Sequence, residues 1–167
     1  KHGYVKVSAL GHSLGGGVVT RYAELNPNEL DKLILSAPLH SVNGLLGADN
    51  SDYLSKAIIS IGDFFSHKEY SIGSRTFNHF VTTYDNESNT LNDYTTSQSR
   101  FFMKKYIGQE FPDTSLGGLT WGFADAIYEG VKDIRRDAGN IKRPTLIFQA
   151  QYDSYVHSSG QNTVCDA

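Results

Sequence analysis

Apolar residues recur along the chain with two different periods. Val5-Lys6-Val7-Ser8-Ala9-Leu10 is a short β-branched run, and its pattern predicts a strand. Gly11-His12-Ser13-Leu14-Gly15 reads as a tight turn. Gly16 to Leu25 then reads as a helix, with Val19, Tyr22 or Ala23, and Leu25 on its buried side, stopped by Asn26-Pro27. Leu33-Ile34-Leu35-Ser36-Ala37 is a continuous apolar run closed by Pro38, the pattern of a parallel strand buried on both faces. Strand, helix and strand in this order make a βαβ unit.

From Leu39 to about Lys142 helical spacing replaces short strands. Leu54, Ile58, Ile61 and Phe65 repeat at helical intervals, with Ile59 and Phe64 widening the stripe. Trp121, Ala124, Ile127, Val131 and Ile134 mark a second amphipathic helix, and a shorter one starts near Ser97 and runs through Phe101, Phe102 and Tyr106. Asn86 to Thr96 is polar and reads as a loop. Pro144 then introduces Thr145-Leu146-Ile147-Phe148-Gln149-Ala150, another strand of the buried parallel kind, and the tail from His157 begins a further helix. A structureless stretch of about 100 residues would be unusual in a compact domain, so the middle reads as an inserted helical subdomain. The expected division is an α/β core over 1–40, an insert over 41–142, and a return to the core over 143–167.

Composition narrows the class. The 167 residues are 39% hydrophobic and 20% charged, with a formal net charge of −3. That is the make-up of an ordinary globular domain, without the clustered excess of base that nucleic-acid binding needs. No apolar run approaches the roughly 18 residues that span a bilayer, and the start carries no signal-peptide pattern. The single cysteine, Cys165, excludes an internal disulfide and an all-cysteine metal site. With no H-E-x-x-H or comparable spacing either, no metal and no organic cofactor is expected.

The residues with chemistry to offer are Gly11-His12-Ser13-Leu14-Gly15, a G-x-S-x-G match. The motif alone is weak; a β-rich strand before it and a helix after it are the context its mechanism requires. A serine there sits on a strained strand-to-helix turn with Oγ exposed. The helix N-terminus favours negative charge, and the Leu14 N–H stands where it can hold an oxyanion. The bland alternative is a glycine-rich turn carrying a solvent-facing serine. A phosphate-loop reading fails, because Gly17 stands where a lysine is needed and Thr20 where a G-x-G-x-x-G pattern needs glycine.

Val7 to Gly17 resembles the nucleophile elbow of the α/β-hydrolase superfamily. Pro144-Thr145-Leu146-Ile147-Phe148-Gln149-Ala150-Gln151-Tyr152-Asp153-Ser154-Tyr155-Val156 resembles the acid-bearing strand end of the same superfamily, with Gln151 where many relatives have glycine. The branch it looks most like is that of monoacylglycerol lipases and bacterial lysophospholipases. The stretches Leu91-Asn92-Asp93-Tyr94-Thr95 and Leu116-Gly117-Gly118-Leu119-Thr120-Trp121-Gly122-Phe123 look like the lysophospholipase cap. The resemblance implies a partial α/β-hydrolase fold, parallel strands with crossover helices and an inserted, mainly helical cap.

It also implies roles. Ser13 would be the nucleophile, Asp153 the acid that orients a histidine, and the Leu14 N–H part of the oxyanion hole. The family's histidine lies beyond one further strand after the acid. His157 is only four residues past Asp153, His12 occupies the x position of the elbow, and His40, His67 and His79 fall in or beside the cap. The catalytic histidine and the first oxyanion donor are therefore expected outside the chain, which reads as the middle of a hydrolase, inactive alone. Residues 53–128 hold 15 of the 20 aromatics. Most would form the cap's own core; Phe64, Phe65 and Trp121 are the candidates for holding an acyl chain. Asn86-Glu87-Ser88 matches a glycosylation sequon, expected to be a chance match.

The function expected is a serine carboxylester hydrolase acting on a lipid monoester. An aminopeptidase, lactonase or small-ester esterase on the same fold is the enzymatic alternative, and a non-catalytic binding module that kept the elbow is the alternative from another class. The expected partner is a lipid-like ester, with peripheral membrane contact and no nucleic acid; oligomeric state is left open. The expected location is the cytoplasm or the cytoplasmic side of a membrane.

Overall fold

The structure is a computed structural model and describes residues 6–42, 53–71, 95, 97–114, 118–153 and 155–167. The polar Asn86–Thr96 stretch (Thr95 apart), the Asn86 sequon, His79, and Leu91 to Tyr94, Leu116 and Gly117 of the cap stretches lie outside the described residues. The chain forms two compact units, one of Lys1–Ile61 with Asp125–Ala167 and one of Gly62–Ala124. The insert expected over 41–142 thus contributes residues to both.

In the first unit, β1 (Ser8–His12), α1 (Leu14–Leu25) and β2 (Lys32–Ser36) follow one another as strand, helix and strand. The remaining strand is β3 (Thr145–Phe148), and α5 (Ser158–Cys165) follows it. The three strands form one parallel sheet in the order β1-β2-β3. Leu10 pairs with Ile34, which pairs in turn with Leu146. β1 lies later in the sequence than its β-branched run suggested, and β3 ends earlier, at Phe148. Only Ser13 separates β1 from α1.

α1, the end of α4 (Trp121–Asp137) and α5 pack on one face of this sheet. Ala23, Leu30, Leu33 and Leu35 form a core cluster with Ala9, Val19 and Ile147 against it. Ile147 also meets Ile134, Ala138 and Val164. On the opposite face Leu10 is 71% exposed, Leu146 52% and Phe148 56%. The apolar runs therefore do not mean strands buried on both faces among the described residues; period-2 alternation puts only one set under the helices.

α1 has Ala23 buried and Val19 packed on the core as expected, and departs from its expected burial at Leu25. Gly16, Gly17, Thr20, Ala23 and Glu24 are buried, while Tyr22 and Leu25 are exposed. A Cβ on Gly16 would come within 2.7 Å of Pro38, and one on Gly17 within 2.8 Å of the Leu39 carbonyl oxygen. The glycine side of α1 is what permits close approach, and the two polar residues in line with it are buried with it.

Two longer helices run across the boundary between the units. α2 (Tyr53–Ser66) buries Ile59, one of the residues widening the predicted stripe, and exposes Ile61, Phe64 and Phe65. α4 (Trp121–Asp137) follows its predicted stripe, with Trp121, Ala124, Val131 and Ile134 buried. Within the first unit Lys56 pairs with Glu129 and lies over the Tyr128 ring. Within the second, α3 (Gln98–Glu110) starts at Ser97, whose side chain accepts from the Arg100 N–H. There Tyr70 and Thr120 form an antiparallel bridge, and the Trp121 N–H donates to the Glu69 carbonyl at 3.0 Å.

Candidate active site

Ser13 is the single residue between β1 and α1. Its φ is 51° and ψ −122°, a left-handed conformation that costs a non-glycine residue about 1–3 kcal/mol. Three backbone hydrogen bonds hold it there. The Ser13 N–H donates to the Ser36 carbonyl at 3.0 Å, and the Ser13 carbonyl accepts from Gly17 N at 3.2 Å and Leu39 N at 2.9 Å. Gly11 is needed beside it, since a Cβ there would lie 2.7 Å from the Gly15 carbonyl oxygen. Ala37, at the end of β2, has a φ of 42°, and its N–H donates to the Phe148 carbonyl at 2.8 Å. Two strained residues thus sit side by side at the C-terminal edge of the sheet.

Leu14 is the first residue of α1. Its N–H belongs to the first helical turn, whose N–H groups have no carbonyl partner within the helix and sum to a partial positive charge. No acidic side chain occupies that turn. An oxyanion forming beside Ser13 would meet a field of favourable sign.

Asp153 is exposed and lies beyond the C-terminal end of β3. Because β1 and β3 are both parallel to β2, Ser13 and the segment that carries Asp153 follow the C-terminal ends of strands two spacings, about 10 Å, apart. One carboxylate oxygen of Asp153 accepts from the N–H groups of Tyr155 and Val156, both at 2.9 Å. This turn fixes the carboxyl group at the head of the segment leading into α5.

The four described histidines are all engaged elsewhere. His12 Nδ1–H donates to the Ser36 carbonyl at 3.0 Å, sharing that acceptor with the Ser13 N–H. His40 is fully buried, with Nε2 2.8 Å from Thr20 Oγ1. Thr20 Oγ1 itself donates to the Gly16 carbonyl at 2.8 Å, so His40 Nε2 carries the proton of their bond. His40 Nδ1 is a buried lone pair without a partner, and burial pushes the ring down to about 4, keeping it neutral. His67 pairs with Asp63 on the surface. His157 caps α5, with Nδ1 2.8 Å from Ser159 Oγ. Among the described residues no histidine bonds Ser13 or Asp153.

Phe64 and Phe65 end α2 with 82% and 78% of their surface exposed, and they stack edge to face at 5.0 Å. Trp121 is buried in the second unit, where a Cβ on Gly62 would come within 2.3 Å of its ring. Among the described residues no cluster of three or more His, Cys, Asp and Glu could hold a metal, and no helix is long and apolar enough to cross a membrane.

Two features near the site escaped the sequence reading. One is the buried Thr20–His40 pair, signalled only by a histidine two residues past the proline that closes a strand. The other is Glu24, whose side chain is fully buried on α1. Burial pushes its carboxyl up to about 7, partly offset by the Arg21 guanidinium 2.9 Å away. Arg21 also reaches Asp137 at 2.7 Å, which joins α1 to the end of α4.

A family described as serine aminopeptidase, S33, matches residues 1–167. None of the curated proteins matches the chain. Among solved structures, the monoacylglycerol lipase of Paleococcus ferrophilus aligns with a TM-score of 0.62 at 20% identity, over 96% of this chain and 53% of that one. A soluble variant of monoglyceride lipase from Saccharomyces cerevisiae, in complex with a substrate analogue, aligns with a TM-score of 0.64 at 18% identity, over 96% of this chain and 48% of that one. The chain spans about half the length of these two structures. At such identities the likeness is one of fold.

Proposed function

The chain belongs to the serine aminopeptidase (S33) hydrolase family and has the α/β-hydrolase fold, and on that basis we propose that it carries the nucleophile and acid of a serine carboxylester hydrolase acting on lipid monoesters. The observation that carries the reading is the conformation of Ser13. A serine held at φ 51° by three backbone hydrogen bonds, on the turn between a strand and a helix N-terminus, has the strained setting that a nucleophile elbow requires. Ser13 Oγ attacks the ester carbonyl while a histidine outside the described residues takes its proton. Asp153 orients that histidine, and the Leu14 N–H binds the oxyanion. The histidine returns the proton to the departing alcohol. Water then attacks the acyl-enzyme by the same route and frees the carboxylic acid. Phe64 and Phe65 supply apolar surface for an acyl chain or a membrane face, at the cytoplasmic side.

The family's description favours a second reading, release of an N-terminal amino acid from a peptide. Both use the same nucleophile, so the substrate decides. The test is hydrolysis by the full-length protein of a monoacylglycerol series, a lysophospholipid and aminoacyl p-nitroanilides, with Ser13→Ala and Asp153→Asn as controls. Turnover of the long-chain esters, lost in both variants, is the expected result. Preference for the anilides would establish the peptidase reading, and turnover that survives Ser13→Ala would refute both.

A further inference from the structure

The six residues after β2, Ala37 to Val42, lie between the two groups assigned above as nucleophile and acid. Toward the nucleophile, the Leu39 N–H donates to the Ser13 carbonyl and Pro38 fills the space that Gly16 leaves. His40 Nε2–H donates to Thr20 Oγ1, and through that hydroxyl reaches the Gly16 carbonyl in the first turn of α1. Toward the acid, Ser41 Oγ donates to the His157 carbonyl at 2.7 Å, and Val42 forms an antiparallel bridge with Val156. Val156 is the residue whose N–H holds the Asp153 carboxylate. Gln161 Nε2 donates to the Pro38 carbonyl at 3.2 Å, and a Cβ on Gly160 would lie 2.4 Å from the His40 carbonyl oxygen.

We propose that His40 and Ser41 are positioning residues, which clamp this segment to α1 on one side and to the Asp153 turn on the other and so set the separation of Ser13 and Asp153. The proposal rests on the assignment of those two residues as nucleophile and acid.

Burial supports it. His40, Ser41 and Thr20 are all fully buried. The Leu39, Val131 and Val156 cluster beside them is apolar and non-directional, and would tolerate a small slide. Buried donors do not, because a slide that breaks their bonds leaves unsatisfied polar groups with no water to replace the partner. The two side chains face opposite neighbours, so together they fix the segment at both ends.

The experiment uses the full-length protein and p-nitrophenyl butyrate. Ser41→Ala and Thr20→Val each remove one clamp with little change in volume. Each is expected to lower kcat about ten- to a hundredfold while KM stays within about twofold. Ser41→Thr keeps the hydroxyl and should restore most of the loss. The double variant should fall little below the worse single variant, since either break frees the same segment. Titration with a fluorophosphonate counts competent sites and separates misplacement from unfolding. Unchanged kcat in both variants, or a loss fully explained by fewer competent sites, overturns the proposal while leaving the nucleophile assignment standing. Turnover that survives Ser13→Ala overturns the assignment, and the proposal with it.

Discussion

Substituting Glu24 by glutamine is expected to tilt a stability–pH profile that is nearly level in the parent protein. Burial raises the Glu24 carboxyl from 4.5 to about 7 and lowers the His40 imidazole from 6.5 to about 4. Between pH 4.5 and 7 the folded chain holds a proton on Glu24 that the unfolded chain has released, so stability falls as pH rises. Between pH 4 and 6.5 the unfolded chain holds a proton on His40 that the folded chain refuses, so stability rises with pH. Across the shared window the two proton counts cancel. Either group alone would give a slope of about 1.4 kcal/mol per pH unit, and each full displacement is worth about 3 kcal/mol. Both side chains are almost completely buried, so solvent screening removes little of this. Asp137, held down by Arg136 and Arg21, and Glu129, held down by Lys56, titrate below the window. Glu24→Gln should therefore leave the His40 slope exposed, with stability climbing by about 2–3 kcal/mol from pH 4.5 to 6.5. His40→Gln, which keeps a donor for Thr20, should show the reverse slope. The assay is urea unfolding followed by circular dichroism at half-unit steps, comparing midpoints and slopes. A Glu24→Gln profile parallel to the parent's would refute the reasoning.

Gly11→Ala should lower stability by about 2–4 kcal/mol, because its Cβ would meet backbone atoms of Gly15 and Gly16 at 2.7 Å. Gly15→Ala should be neutral or gain up to about 1 kcal/mol, since its Cβ would meet nothing within 4 Å inside a helix; thermal melts compare the two. Gly62→Ala should shift the emission of Trp121, the only tryptophan, to the red, because the new methyl would displace its ring. In a p-nitrophenyl ester assay Ser13→Ala should cost about 10⁴–10⁶ in kcat.

What could be read from sequence was what short stretches encode. The elbow was legible because its glycines, its strand and its helix are contiguous, and the Ser13 backbone has the strain that the motif implies. The α4 stripe was legible for the same reason, with every period-3.6 position under cover or half covered. The parallel adjacency of β1, β2 and β3 followed from apolar runs and the family resemblance together. The buried face of α1 was legible at Val19 and Ala23 but not at its polar positions, Thr20 and Glu24. Thr20 meets a histidine 20 residues on, and Arg21 an aspartate 116 residues on. Such partners make a polar residue an interior one, and hydrophobic periodicity does not register them. Among the described side chains of α2 the stripe held at Ile59, which is buried, and failed at Ile61, Phe64 and Phe65, which are exposed.

The pairing of β2 with β3 has a consequence for how the chain folds and how it can vary. Their registers meet directly, yet more than a hundred residues separate them in sequence. Loop-closure entropy grows only as the logarithm of length, so doubling or halving that connection would change the cost of closing it by about 0.6 kcal/mol. Insertions and deletions there are nearly neutral for the sheet, whereas the few residues after β2 cannot change in number without moving what they join. The same distance in sequence makes contact order high for β3 and low for the β1–α1–β2 unit. That unit should form early and wait for β3, with the sheet edge along Leu33 to Ser36 open to wrong partners in the interval.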